Sequence, residues 1–155
     1  MTAVQQHGVS SSTLLLFAAT IFLVRAVSLM LGPLLVALAD DFGTSIAVAG
    51  QLAAATFMTW GITAPLVGPI SDTYGRRPVL LIGLLLMALG VLGSGAAWSY
   101  SSLLALRLIT GIGSAMVLPT IMAALADNLP PEKVGKAIGF ITSSSWVGVA
   151  VGVPA

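Results

Sequence analysis

Long apolar runs separated by short polar segments dominate this chain of 155 residues. Each run has roughly the 20 residues that an α-helix needs to cross a bilayer, about twice the length of a membrane β-strand. Lipid offers no hydrogen-bond partners to the backbone, so runs of this length span it as helices. The pattern predicts an all-α membrane protein with a polar cytoplasmic tail at 1–12 and five transmembrane helices at about 13–38, 45–67, 78–97, 102–126 and 137–155.

The positive charges lie in alternate inter-helix segments. Arg76 and Arg77 follow the second run, Lys133 and Lys136 follow the fourth, and the segments after the first and third runs have neither lysine nor arginine. Cytoplasmic loops carry the excess of Lys and Arg. We therefore expect the N-terminus in the cytoplasm and the location to be a cell inner membrane.

Composition agrees with a membrane protein and excludes several kinds of chemistry. Hydrophobic residues make up 57% of the chain and charged residues only 7%, whereas soluble domains carry about a quarter charged residues. No cysteine is present, which excludes disulfides and thiolate sites. His7 is the single histidine and lies in the tail. We expect no enzyme activity, no metal or other cofactor, and no nucleic-acid partner.

The N-terminal tail has no basic region, and the apolar run after it exceeds the roughly 7–15 residues of a signal peptide's apolar core. We therefore expect the first helix to be retained.

A polar segment between the second and third runs has an unusual spacing. Gly68, Asp72, Gly75, Arg76 and Arg77 form the pattern Gly-xxx-Asp-xx-Gly-Arg-Arg, which resembles the loop between the second and third helices of major facilitator superfamily transporters. The resemblance implies a gating loop that holds the outward-facing state by contacting the opposite half. A loop that only anchors the topology would explain the arginines but not Gly68 and Asp72.

Asp127 leaves the fourth run at the same expected inner surface. We predict that Asp72, Arg76 and Asp127 form one charge network joining helices 2, 3 and 4, with charged atoms closer than about 8 Å, roughly a Debye length.

Arg25 is the most informative single residue. It lies about 12 residues into the first run, roughly 18 Å deep at 1.5 Å per residue, too deep for its side chain to reach an interface. Arginine at this depth costs at least about 2.5 kcal/mol, so it should face protein or a wet cavity. Binding of a substrate or counter-ion is one interpretation, and hydrogen bonding to backbone carbonyls of a broken helix is the other.

Arg107 and Gly111 match the Arg-xxx-Gly pattern of the superfamily's fourth helix. The resemblance implies a role for Arg107 in proton transfer, whereas an interfacial anchor beside a glycine packing face is the alternative. No acid is expected inside a helix core, so proton coupling would fall to Asp40, to its neighbour Asp41 or to the absent half. Trp60 is expected to pack rather than to stack on a ligand.

The fifth run resembles the glycine-rich helix of the superfamily's antiporter branches. Gly139, Gly148 and Gly152 have the expected separations, although a valine precedes Pro154. The alternative is ordinary packing of small residues between helices.

These features together resemble the N-terminal half of a drug or metabolite exporter working by proton antiport. The resemblance implies a lipid bilayer, a small-molecule substrate and a second, C-terminal half as partners. We expect a chain truncated within the fifth helix and inactive alone. The alternatives are a homodimeric half-transporter, in which a second copy completes the cavity, and a non-transporting assembly or regulatory membrane protein.

Overall fold

A computed structural model describes residues 11–29 and 31–152. His7, most of the expected tail and Pro154 lie outside the described residues. The regular structure of the described part is entirely α-helical, which confirms the expected all-α class. Its elements are α1 Ser11–Leu29, α2 Leu31–Asp41, α3 Ile46–Tyr74, α4 Arg76–Ser94, α5 Tyr100–Asn128 and α6 Pro131–Gly152.

The number of helices differs from the expected five. The first apolar run contains two helical segments, α1 and α2, on either side of residue 30, which is not described. By length and apolar composition, three helices of the described part are candidates to cross a membrane, namely α3, α4 and α5, and Ser12–Val27 is a shorter apolar helix.

The polar segment is not the loop that the sequence suggested. Helix α3 continues through Asp72 to Tyr74, and α4 begins at Arg76, so Gly75 alone connects them. Gly75 has φ 91° and ψ 155°, a conformation that is essentially restricted to glycine. The reversal needs one residue because a glycine there can adopt backbone angles that other residues avoid.

Helix α5 is the centre of the fold. It packs along α3 and α4, while α6 packs against α1. The main core cluster joins α5 to α1 and α6 through Ala18, Ile21, Val117, Ile121, Leu125, Ala137 and Ile141. A smaller cluster around Leu52 and Leu103 joins α3 to α5 near the other end.

Glycines bring α4 and α5 into close contact. A Cβ on Gly113 would lie 2.5 Å from the Met87 nitrogen and 2.7 Å from the Gly83 oxygen. On another face of α5, a Cβ on Gly111 would lie 2.7 Å from the Thr56 oxygen in α3. Small residues at such positions let membrane helices approach closely. The packing of α5 therefore depends on glycines on two of its faces.

Serines cap the two long helices that begin on the same side. The Ser45 hydroxyl accepts from the Val48 amide at the start of α3. Ser99 and Ser102 form a reciprocal capping box at the start of α5, which satisfies backbone donors left over by the first turn. The Tyr100 hydroxyl donates to the Val48 carbonyl at 2.8 Å, tying α5 to α3 at this end.

Candidate functional site

A pocket of about 110 Å³ lies between α1, α3 and α5. Its wall consists of Ile21, Val24, Arg25, Thr56, Phe57, Trp60, Ser114, Val117 and Leu118. Trp60 and Ser114 are the central residues of α3 and α5, so the pocket lies halfway along the two long helices. Arg25 therefore faces a cavity, as expected.

The polar groups of the pocket come from three helices. The Thr56 hydroxyl donates to the Leu52 carbonyl at 2.9 Å, and the Ser114 hydroxyl donates to the Gly111 carbonyl at 3.0 Å. Both hydroxyl hydrogens are thus directed at their own helices, and the oxygens keep lone pairs for accepting. Arg25 supplies the charge of the wall, and its guanidinium and the Trp60 indole N–H are further donors there.

Arg107 lies on α5 about two turns from Ser114, outside the pocket wall. Its backbone oxygen lies 3.4 Å from the Thr56 hydroxyl, which links this turn of α5 to the pocket. Within the part of the chain that the structure describes, its buried Nε atom has no hydrogen-bond partner. A buried donor of this kind is costly when it stays unpaired.

Asp40 is not brought together with either arginine. It is exposed in the last turn of α2, and its backbone oxygen accepts from the Gly43 amide at 3.2 Å. Asp41 ends the same helix and is also exposed.

Asp72, Arg76 and Asp127 are in direct contact at the opposite end of the helices. Arg76 Nη1 lies 2.6 Å from Asp72 Oδ1, and Arg76 Nε lies 3.0 Å from Asp127 Oδ2. Arg76 Nη1 also donates to the buried Ser71 hydroxyl. We call this group the inner cluster because the sequence predicts it at the inner surface. It joins the ends of α3 and α5 to the start of α4, with contacts well within the 8 Å limit expected from the sequence.

The other residues of the polar segment have open surroundings. Arg77 is exposed. Apart from its chain neighbours and the backbone of its own helix, no described atom lies within 4 Å of a Cβ built on Gly68. In α6 the same is true of Gly139. The close packing expected at Gly139 is therefore not found among the described residues, because that face of α6 is exposed. Gly148 and Gly152 lie in the last turns of α6.

Sequence reasoning missed Thr56, Phe57 and Ser114 and assigned Trp60 to packing. Trp60 is 36% exposed and lines the pocket. A usable signal did exist, since Thr56 and Ser114 are hydroxyl residues near the middle of long apolar helices. Their convergence depends on which helix faces pair, and the apolar pattern of α3 and α5 does not reveal this.

The sequence profile of the Major Facilitator Superfamily matches residues 16–155. The chain belongs to this superfamily. It is a multi-pass membrane protein of a transporter family and not an enzyme, and it corresponds to the N-terminal portion of such transporters.

Individual relatives agree with the family. An uncharacterized MFS-type transporter, YceJ, of Bacillus subtilis (strain 168) is 29% identical over 139 residues, which cover 90% of this chain and 36% of the relative. A chloramphenicol resistance protein of Streptomyces lividans is 30% identical over 125 residues, covering 81% of this chain and 32% of the relative. Multidrug resistance protein 3 of Bacillus subtilis (strain 168) is 39% identical over 75 residues, which cover 48% of this chain and 15% of the relative. The chain thus spans about a third or less of the length of these relatives.

Proposed function

We propose that this chain forms the N-terminal portion of a secondary transporter that exports drugs or small metabolites in exchange for protons. Helices α1 and α2 together make one transmembrane pass, which gives five passes in total. The N-terminus lies on the cytoplasmic side of a bacterial inner membrane. A C-terminal portion or a second copy supplies the other wall of the substrate cavity.

The pocket around Arg25 is the observation that carries this proposal. It combines a cation, two hydroxyl oxygens and two aromatic rings at the mid-depth of apolar helices. A structural arginine would be expected to bond backbone carbonyls, yet Arg25 is exposed to the pocket. Charged groups inside a membrane are costly and typically mark a substrate or ion pathway. A substrate-binding or coupling role for Arg25 accounts for both its exposure and its depth.

Proton coupling is assigned to Arg107, with Asp40 as a second candidate. The unpaired Nε of Arg107 supports a site where water or a proton-carrying group enters during transport. Asp40 lies at the exposed end of α2 and is accessible to the solution.

The inner cluster is assigned to gating. The ion pairs of Arg76 with Asp72 and Asp127 hold α3, α4 and α5 together at the cytoplasmic end. The open surfaces of Gly68 and Arg77 are then free to contact the opposite half in the outward-facing state.

The direction of transport is inferred from relatives named for chloramphenicol and multidrug resistance. Removal of a drug from the cell is the activity by which a transporter confers resistance.

The test is flux by a complete transporter that contains this chain. Purified protein in liposomes with an imposed pH gradient should move a transported compound saturably, and collapse of the gradient should stop the flux. Arg25→Ala should reduce the rate at least about tenfold, whereas Lys136→Ala, an exposed cation on α6, should not. A transport rate that does not depend on the pH gradient would contradict antiport. A rate unchanged by Arg25→Ala would show that Arg25 is not part of the site.

A further inference from the structure

We propose that the pocket between α1, α3 and α5 binds a small aromatic compound with an anionic group, with Arg25 as its counter-charge. This inference rests on the proposed function, since it identifies the class of substrate that the same pocket accepts.

The charge of the wall is positive and locally uncompensated. No carboxylate is present among the described residues of the wall. The ion pairs found in the described ranges, 11–29 and 31–152, both belong to Arg76 at the inner end of the helices. A ligand cation would be repelled by Arg25, whose charge no described carboxylate of the wall offsets. The aromatic faces of Phe57 and Trp60 attract cations only weakly by comparison.

The hydrogen-bonding pattern selects an anion as well. The hydroxyl hydrogens of Thr56 and Ser114 are already directed at helix carbonyls, so the donors left for a ligand are the Trp60 indole N–H and the side chain of Arg25. Its guanidinium has five N–H groups in a planar fork that matches a carboxylate. The two hydroxyl oxygens remain acceptors, which suits a ligand that also bears a hydroxyl or amide N–H on its ring.

Size limits the part of the ligand held by this chain to about one ring. The pocket volume is about 110 Å³, whereas sites for drug-sized molecules usually measure about 300–1,000 Å³. Phe57 and Trp60 provide ring surfaces, and aromatic rings prefer stacked or edge-to-face contacts with other rings. The pocket therefore fits a benzoate-like acid, or that part of a longer molecule.

Binding to the purified chain in detergent micelles tests this inference without any transport. Trp98→Phe and Trp146→Phe leave Trp60 as the single tryptophan, so the change in its emission reports the pocket. The probes are benzoate, neutral benzamide and cationic benzylammonium, which share one ring. Benzoate should bind at least about tenfold more tightly than either, a factor equal to about 1.4 kcal/mol.

Charge variants separate a specific site from partition into the micelle. Arg25→Gln should weaken benzoate binding at least about tenfold and leave benzamide binding nearly unchanged. Arg25→Lys should keep most of the preference for benzoate over benzamide. Lys136→Gln removes one exposed positive charge on α6 and should change neither benzoate binding nor benzamide binding. Circular dichroism on each variant ensures that only helical protein is compared.

Three results would overturn the inference: tighter binding of benzylammonium, equal benzoate binding after Arg25→Gln, or no benzoate response in helical protein. The proposed transport function fails separately. In a complete transporter containing this chain, saturable, pH-driven flux of a cationic compound would refute the anion class and leave transport standing. Benzoate binding by that transporter without any flux would refute transport and leave the anion site standing.

Discussion

At the scale of single residues, Arg25 and Arg76 show how the surroundings decide what an arginine does. Arg76 is 27% exposed and has two carboxylates, which are 63% and 54% exposed. Arg25 faces an apolar pocket with no carboxylate among its described wall residues. The first arginine is already neutralised by the protein, so its role is mechanical. The second carries a charge that a bound molecule can neutralise.

The inner cluster should contribute little to the free energy of unfolding, but the coupling energy between Arg76 and Asp127 should be measurable. Exposed ion pairs are typically worth about 0.2–1 kcal/mol, and both carboxylates are more than half exposed. In a double-mutant cycle, Arg76→Gln and Asp127→Asn should show a coupling in this range, measured from reversible unfolding in mixed micelles. The control cycle with Arg77→Gln should show none, because Arg77 is exposed and belongs to neither ion pair. Strict additivity for Arg76 and Asp127 would contradict the contact.

At the scale of helices, the apolar pattern predicted the class and most of the segments but not their ends. The polar residues from Gly68 to Tyr74 suggested a loop, yet they continue α3 for nearly two turns. Charge and polarity mark where a helix leaves the lipid and do not end it. The end is set by the backbone of Gly75, whose role in a tight reversal the sequence did indicate. The contact between Arg76 and Asp127 was predictable because both residues leave the lipid on one side.

The pocket was only partly predictable for a related reason. Arg25 is conspicuous because a charge in an apolar run is costly, whereas threonine and serine in such runs often just bond their own helix. Thr56 and Ser114 do this as well. Only the pairing of α1, α3 and α5 gives them a second role.

Replacing the glycine between α3 and α4 should destabilise the fold. Gly75→Ala forces a side chain into a backbone region reserved for glycine, which costs on the order of 1–3 kcal/mol. Unfolding in mixed micelles should detect this loss. Gly68→Ala is the matched control in the same segment, since it is helical with open space around it. Its stability should be unchanged or higher, because alanine favours helices. Equal effects of the two substitutions would argue against the strained turn.

The contact between α4 and α5 should be equally sensitive to added bulk. Gly113→Ala brings a methyl group to 2.5 Å from the Met87 nitrogen, so the two backbones must separate. Overpacking of this kind costs about 1–3 kcal/mol. Gly61→Ala in α3 meets no atom within 4 Å and should cost nothing. A Gly113→Ala variant as stable as wild type would show that α4 and α5 are more loosely packed than described.

At the scale of the whole molecule, the positive charges should fix the orientation across the membrane. The chain has no cysteine. A single cysteine introduced at Lys133 or at Ser101, both exposed, therefore shows on which side of the membrane that residue lies. An impermeant maleimide should label Ser101→Cys in intact cells and Lys133→Cys only after permeabilisation, because Lys133 lies in a basic inner segment. The reverse labelling would invert the proposed topology and move the Arg76 cluster to the outside.

The last prediction is that the 155-residue chain gives no transport by itself. Transport sites of this superfamily lie between two halves, and access alternates when one half rocks against the other. The chain spans only 36% of YceJ and 32% of the chloramphenicol resistance protein, and the proposed function places the opposing wall of the Arg25 pocket on a C-terminal portion or a second copy. A bare Arg25 facing hydrocarbon costs several kcal/mol, which favours association with another copy or with a partner that covers it. Liposomes containing this chain alone should therefore show no saturable flux driven by a pH gradient above that of empty liposomes. Saturable flux that Arg25→Ala abolishes would instead establish a working half-transporter, with the cavity formed between two identical copies.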